Sequence, residues 1–303
     1  MINTVVTLIC NPADAILDNE LAERVSCFLD HVDIGAPQRV ILAKNTANDF
    51  LCPGEIDPRE LESEIKAFLG DLAVDVVVQK AGDNRRKRLL IADMDSTIIQ
   101  QECIDELAEF AGKRAEISAI TERAMRGELD FEEALKERVS MLKGVPESAL
   151  AETFEHRLAL TPGARILVQT MNKIGSVTAL VSGGFTFFTD RVAAATGFHT
   201  TQANDLCISD GALTGAVSEP ILGRAAKRDA LHRIASDKAI ALDQTLAVGD
   251  GANDLSMLES AGLGVAYHAK PAVAEAAHAR IDHGDLTALL YLQGVKMSEF
   301  ALT

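Results

Sequence analysis

Four short apolar runs each break off into a polar or glycine-containing loop: "RLLIAD" ending at Asp93, "SVTALVS" at Ser182, "TLAVGD" at Asp250, and "LGVAY" at residues 263–267. Runs of this length, with few polar interruptions, predict strands covered on both faces. The sequence between them turns to helical spacing, and alternation of such strands with helices predicts an α/β fold with a parallel sheet and helices on both sides. Ligands of such sheets sit beyond the carboxyl ends of the strands. Three of the four runs end there in residues able to do chemistry. Asp93 and Asp95 stand one residue apart, and like charges that close raise one another's pKa or recruit a cation.

Two further segments frame this core. Before it, "TVVTLIC", the helical stretch 18–30 with Leu21, Val25, Phe28 and Leu29 on one face, "QRVILAK", the weaker strand "DFLC", a helix "PRELESEIKAFLG" ending on Gly70, and "AVDVVVQ" give the order βαββαβ. That order is ferredoxin-like and resembles ACT-type regulatory domains. The division falls at "AGDNRRK", giving an N-terminal module over residues 1–82. Between the first two core strands lie more than eighty residues, mostly of helical pattern, beyond an ordinary βα connection. Residues 103–158 are therefore expected to form a helical cap inserted into a core of residues 88–102 and 159–295.

With 303 residues, 48% of them apolar, the chain can bury a sizeable core. A net charge of −16, from 29 Lys+Arg against 45 Asp+Glu, opposes nucleic acid as a partner. "RRKR" at 85–88 reads as a solvated linker entering a strand. No apolar run is long enough for a membrane span, and "MINTVVTLICNPADAI" lacks the pattern of a secretory signal, so a cytoplasmic location is expected. Cys10, Cys27, Cys52, Cys103 and Cys207 show no C-x-x-C pair and are read as reduced thiols, mostly buried. His156, His199, His232, His268, His278 and His283 show no ligand spacing.

The set "DMDST" at 93–97, "VSGGF" at 181–185, Lys227 and "GDGAND" at 249–254 resembles, in this order, the four motifs of haloacid dehalogenase-type phosphatases. The stretches "MRGELDFEEALKERVSML" and "VSGGF" are similar in particular to the phosphoserine phosphatases of that superfamily. A carboxylate is a competent nucleophile for phosphoryl transfer, and attack on an anionic phosphoryl group calls for a hard divalent cation. The resemblance implies Asp93 as nucleophile and Asp95 as general acid and then base. Mg²⁺ would be held by Asp93, the backbone carbonyl of Asp95, and Asp250, with Asp254 supporting the metal loop from behind. It implies Ser182, Gly183, Asn253 and Lys227 against the phosphate. Read alone, Ser182-Gly-Gly is a turn and Lys227 a surface lysine.

The same resemblance implies a Mg²⁺-dependent hydrolysis of phosphoserine to serine and phosphate, the last step of serine biosynthesis, with Glu102 on the ammonium and Arg138 bidentate on the carboxylate. Met125 and Phe131 would exclude water when the cap shuts; cap–core packing is an equal reading of both. Two alternatives stay open: another small phosphomonoester, such as phosphohomoserine or a phosphorylated amino alcohol, and a sensor in which phosphorylation of Asp93 is a signal. An amino-acid effector at the N-terminal module and a homodimer complete the expected partners. "SDGALTG" at 209–215 reads as a hairpin beside the site.

Overall fold

The computed structural model describes residues 2–32 and 34–301. The N-terminal order is the expected one: β1 (Thr4–Cys10), α1 (Asn19–His31), β2 (Gln38–Ala43), β3 (Ala47–Cys52), α2 (Pro58–Leu69) and β4 (Val74–Lys80). Its strands form an antiparallel sheet in the order β2-β3-β1-β4. Local chemistry sets both helices. The Asp18 carboxylate accepts from the Leu21 amide at 2.9 Å, and Asp57 accepts from the amides of Arg59 and Glu60 at 2.9 and 3.1 Å. Each thereby satisfies amides that a helix start leaves without partners. Leu21, Val25 and Leu29 of α1 and Leu61, Ile65 and Leu69 of α2 cover the face of β1 made by Val6, Leu8 and Cys10. Phe28 is only partly buried and stacks on Phe68, with ring centroids 4.6 Å apart.

The strand β5 (Leu89–Ala92) then leads into four helices: α3 (Cys103–Leu107), α4 (Arg114–Met125), α5 (Phe131–Ser140) and α6 (Ser148–His156). The chain re-enters the core through α7 (Ala164–Lys173), β6 (Val177–Phe185), α8 (Thr186–Thr196) and β7 (Thr200–Asn204). A hairpin of β8 (Leu206–Ser209) and β9 (Ala212–Val217) follows, then α9 (Arg224–Asp237) and β10 (Thr245–Gly249). The chain continues through α10 (Leu255–Ser260), β11 (Leu263–Tyr267), α11 (Pro271–Ala276), β12 (Ala279–Ile281) and α12 (Ala288–Tyr291). Six strands pair in parallel in the order β12-β11-β10-β5-β6-β7. Alternate residues face opposite sides, as strand geometry requires. Leu90, Ala92, Leu180, Leu246 and Val248 enter one cluster, and Leu89, Ile91, Ala179, Val181 and Ala247 enter the other. Among the described residues no helix is long and apolar enough to cross a membrane.

The strands β7 and β12 were not expected. β7 is an edge strand of polar residues, "TTQAN", and β12 has three residues, so neither carries an apolar run. The hairpin at 206–217 forms, but it grips the helical insertion and does not line the site. The Gly144 amide donates to Leu213 O, the Leu213 amide to Val145 O and the Glu147 amide to Gly211 O, at 2.8 to 2.9 Å. At the other end of the insertion, the Gln100 amide donates to Ala159 O at 3.0 Å and the Thr161 amide to Ile98 O at 2.9 Å. The entering and leaving chains thus lie side by side.

The reading of residues 85–88 as a solvated linker is corrected. Arg85 donates to both oxygens of Asp49 on β3, at 2.6 and 2.8 Å, and its Nε donates to Leu292 O at 3.0 Å. Lys87 is buried, and its Nζ donates to Asp243 O at 2.7 Å. Only Arg86 and Arg88 are solvated. The reason is that the second face of the N-terminal sheet is not open to water: Ile9, Leu42, Ala43, Ala47 and Val77 share one core with Leu289, Leu290, Tyr291 and Leu292. Asp75 on β4 accepts from the amides of Asp282, His283 and Gly284 at 2.8, 3.1 and 2.7 Å. Replacing Asp75 with Ala leaves these amides without an acceptor in a buried junction. The expected loss is about 2–3 kcal/mol of stability, read by urea unfolding, with Asp75→Asn milder because it keeps one acceptor oxygen.

Candidate active site

β5 lies between β10 and β6, so the loops that follow these three strands meet at one point. The Asp93 amide donates to Val248 O at 3.0 Å, carrying the β5–β10 pairing one residue further, and the chain then leaves the sheet. It turns through Met94–Ile98, where the Ile99 amide returns to Met94 O at 3.0 Å and Ser96 takes a left-handed φ of 54°. This turn points Asp95 back over the strand ends. Asp95 Oδ1 accepts from the Cys103 amide at 2.8 Å, and Oδ2 accepts from Ser182 Oγ at 3.3 Å. The Gly184 amide in turn donates to Ser182 Oγ at 2.8 Å.

Lys227 reaches this point from α9 and is buried, not solvated. Its Nζ lies 2.7 Å from Asp93 Oδ1 and 2.6 Å from Asp254 Oδ1. Asp254 Oδ2 accepts from the Gly251 amide at 3.1 Å, which closes the 249–254 loop, while Oδ1 accepts from Lys227. Asp250 is buried, and among the described residues Thr97 Oγ1, at 3.5 Å, is its one side-chain hydrogen-bond donor. Carboxylate oxygens of Asp93, Asp250 and Asp254 all lie within 4.8 Å of one another. Burial, followed by the neighbouring Asp254, raises Asp93 well above the ordinary carboxylate range. Burial, then Glu102, Asp254 and Asp93, does the same to Asp250. Burial would lower the Lys227 ammonium, but Asp254 and Asp93 more than offset this and raise it. Three buried carboxylates sharing one ammonium form an all-oxygen, electron-rich pocket that fits a hard divalent cation.

Above these groups is a small, partly open cavity. Asp93, Asp95, Ser182 and Gly183 line it from the core side, Met125, Phe131, Leu135 and Arg138 from the cap side, and Glu102 and Asn253 between them. The cap is seated. A Cβ on Gly183 would stand 2.4 Å from Phe131 Cζ, and one on Gly251 would stand 2.8 Å from Met125 Sδ. The Asp130 side chain caps α5 by accepting from the amides of Glu132 and Glu133 at 3.0 Å, which fixes Phe131 as the first helical residue.

Two ionic groups of opposite sign face this chamber. Arg138 is 2% exposed; its Nε donates to Ala134 O at 3.1 Å and Nη1 to Thr121 Oγ1 at 3.0 Å. Glu102 Oε1 accepts from Ser96 Oγ at 2.7 Å. Burial and the nearby Asp95 push the Glu102 carboxyl up to about 7. Neither takes an ion-pair partner among the described residues. Asn253 Oδ1 is buried with no hydrogen-bond partner.

Every residue expected at the site is thus brought to one place, with Asp254 a member of the carboxylate cluster and not behind it, and Met125 and Phe131 in the seam between the helical insertion and the core. No histidine lines the cavity. Sequence reasoning missed several supports. Ser96 and Thr97 stand inside "DMDST" and were open to reading as hydroxyl donors. Thr121 and the Cys103 amide gave no signal. Nor did Asn204, whose Nδ2 donates to Gly183 O at 2.9 Å and whose Oδ1 accepts from the Leu222 amide at 2.7 Å.

Comparison with known proteins agrees with this geometry. A family profile described as haloacid dehalogenase-like hydrolase matches residues 90–259. A phosphoserine phosphatase of Streptomyces coelicolor is 41% identical over 300 residues, covering 98% of this chain and 72% of the relative. A solved phospho-aspartyl intermediate analogue of phosphoserine phosphatase is 40% identical, covers 68% of this chain and 98% of its own, and superposes with a TM-score of 0.65. Over nearly the whole length, a HAD family hydrolase of Salmonella enterica serovar Typhi is 32% identical with a TM-score of 0.81, covering 96% of this chain and 98% of the other. The chain belongs to the haloacid dehalogenase-like hydrolases and, within them, to the phosphoserine phosphatase family.

Proposed function

We propose that this chain hydrolyses O-phospho-L-serine to L-serine and phosphate, as the last step of serine biosynthesis in the cytoplasm. The observation that carries the reading is the cavity over Asp93, with a buried guanidinium and a carboxylate facing it, each without an ion-pair partner among the described residues. A substrate with an ammonium and a carboxylate beside its phosphate supplies both missing partners. In this proposal residues 1–82 are the N-terminal module, packed against a core of 88–102 and 159–295 that carries the cap 103–158. An amino-acid effector at that module and a homodimer are further parts of it.

The Asp93 carboxylate forms a bond to phosphorus as the bond to the seryl oxygen breaks, and Asp95 gives that oxygen its proton. Burial raises the pKa of Asp95, which favours the protonated form this step needs. Asp95 then takes a proton from the water that cleaves the phospho-Asp93 bond. Lys227, held at 2.7 Å from Asp93, stabilises charge as it spreads over the phosphoryl oxygens. Ser182 Oγ, the Gly183 amide and Asn253 orient the phosphate. Asp93, the Asp95 carbonyl and Asp250 would hold Mg²⁺, which when bound screens the phosphoryl oxygens. A sensor that stores the phosphoryl group has no use for a buried acid beside the acyl phosphate, so Asp95 favours turnover.

Three outcomes test this. Asp93→Asn should lower kcat for phosphoserine by about 10⁴-fold or more, with the fold intact by circular dichroism, and acid-quenched parent enzyme should carry the phosphoryl label on Asp93. Label found on another side chain would end the proposal.

Glu102 sets a pH dependence. Its carboxyl, pushed up to about 7, is neutral below that value and cannot pair with an ammonium. KM for phosphoserine should therefore rise as pH falls through 7, by up to about tenfold per unit, and Glu102→Gln should raise KM and abolish this limb. The phosphate of the substrate titrates near the same pH in both enzymes, so the difference between them isolates Glu102.

Gly183→Ala places a methyl into the Phe131 ring. Overpacking of this kind costs about 1–3 kcal/mol, so kcat/KM should fall by about tenfold or more. Adding Phe131→Leu should restore part of the loss; no restoration would show that Phe131 is not what the methyl meets.

A further inference from the structure

The chemistry of Arg138 depends on which of its donors are already in use. A guanidinium has five N–H donors in a planar fork. Arg138 commits one from Nε to Ala134 O, a turn back on its own helix, at 3.1 Å. A second, from Nη1, goes to Thr121 Oγ1 on the neighbouring helix α4 at 3.0 Å. Nη2 and the remaining Nη1 donor are left, and Arg138 lines the chamber over Asp93.

The Thr121 bond has a condition. A hydroxyl has a single proton, and it presents a lone pair to Arg138 only if that proton points elsewhere. Asp105 Oδ1, on α3, lies 2.8 Å from Thr121 Oγ1, and Ile117 O lies 3.1 Å from it. A carboxylate is the stronger acceptor and is also the closer one. The proton therefore goes to Asp105, and the lone pair is left for Arg138. Asp105, Thr121 and Arg138 form a chain of hydrogen bonds across three cap helices, with Thr121 3% and Arg138 2% exposed. Without that chain a buried guanidinium on a long, flexible stem has one anchor, on its own helix. It must then be ordered each time a carboxylate binds, which weakens binding.

We propose that Thr121 and Asp105 are positioning residues that fix the Arg138 guanidinium for the substrate carboxylate, and so set the preference of the enzyme for phosphorylated amino acids over phosphorylated amines. This rests on the reading of Arg138 given under the proposed function. Neither residue touches the reacting atoms, so their removal should act on binding of one substrate class and not on the chemical step.

The experiment compares phosphoserine with phosphoethanolamine, which keeps the ammonium and phosphate but lacks the carboxylate. Thr121→Val should raise KM for phosphoserine about tenfold, leave kcat within about twofold, and leave KM for phosphoethanolamine unchanged. Thr121→Ser, which keeps the hydroxyl, should behave as the parent, and the partly exposed Asp105→Asn should show a smaller rise of the same kind. Arg138→Lys serves as the reference, because a lysine cannot bind a carboxylate bidentately. If Arg138→Lys abolishes discrimination between the two substrates while Thr121→Val and Asp105→Asn leave it intact, the inference is wrong and the reading of Arg138 stands. If Arg138→Lys itself leaves discrimination intact, the reading of Arg138 falls and takes this inference with it. Equal loss on both substrates in Thr121→Val, without rescue by Thr121→Ser, would assign Thr121 to cap packing alone and overturn its positioning role.

Discussion

The site is organised around one ammonium placed between two carboxylates. Lys227 lies 2.7 Å from Asp93 and 2.6 Å from Asp254, and Asp250 stands within 4.8 Å of both acids. At an effective dielectric near 20, two like charges at about 4–5 Å repel by about 3–4 kcal/mol. A single lysine offsets the repulsion of one such pair but not of a third acid, and every member of the group is buried. Burial first, and that shortfall second, raises Asp93 and Asp250 toward holding protons. A divalent cation removes the same shortfall without protonating Asp93. The arrangement is therefore unfavourable when empty and balanced when loaded with a cation and a phosphoryl group. A site that gains from forming its loaded state in this way is suited to catalysis more than to stability.

How much of this the sequence discloses follows from where each residue lies. The central strands are covered on both faces, so they appear as unbroken apolar runs, and their terminal residues mark the site with no need of a structure. The helix starts at Asp18, Asp57 and Asp130 are equally visible, because capping is a local interaction. What stayed hidden depends on neighbours distant in the chain. Arg85 looks like part of a solvated basic run until Asp49 and Leu292 are brought beside it. Thr121 is an ordinary helical threonine until α3 and α5 close on it. The edge strand β7 is polar because one side has no partner strand, so the signal used for the others is absent.

The N-terminal sheet bears on the site through packing. One of its faces carries its own helices, and the other replaces water over the C-terminal segment of the core. From Asp75 a continuous series of bonds runs to the acidic loops. Asp75 holds the amides of 282–284, Gly284 O lies 3.1 Å from His268 Nε2, and the Lys270 amide donates to Asp250 O at 3.0 Å. These contacts connect the N-terminal sheet to the loop that carries Asp250.

Recognition and chemistry are drawn from different parts of the chain, and Glu102 stands between them. The groups around Asp93 come from strand ends of the core, where rigid pairing fixes their spacing. Arg138 and its supports come from the cap, which is tied to the core by the paired chains at 98–100 and 159–161 and by the hairpin at 206–217. Glu102 lies where the first of those chains enters the cap, bonded to Ser96 of the catalytic turn and within electrostatic reach of Arg138. Glu102 and Arg138 therefore present groups of opposite sign on the two sides of the seam between core and insertion. A ligand with both charges can bridge that seam, and one with a single charge cannot.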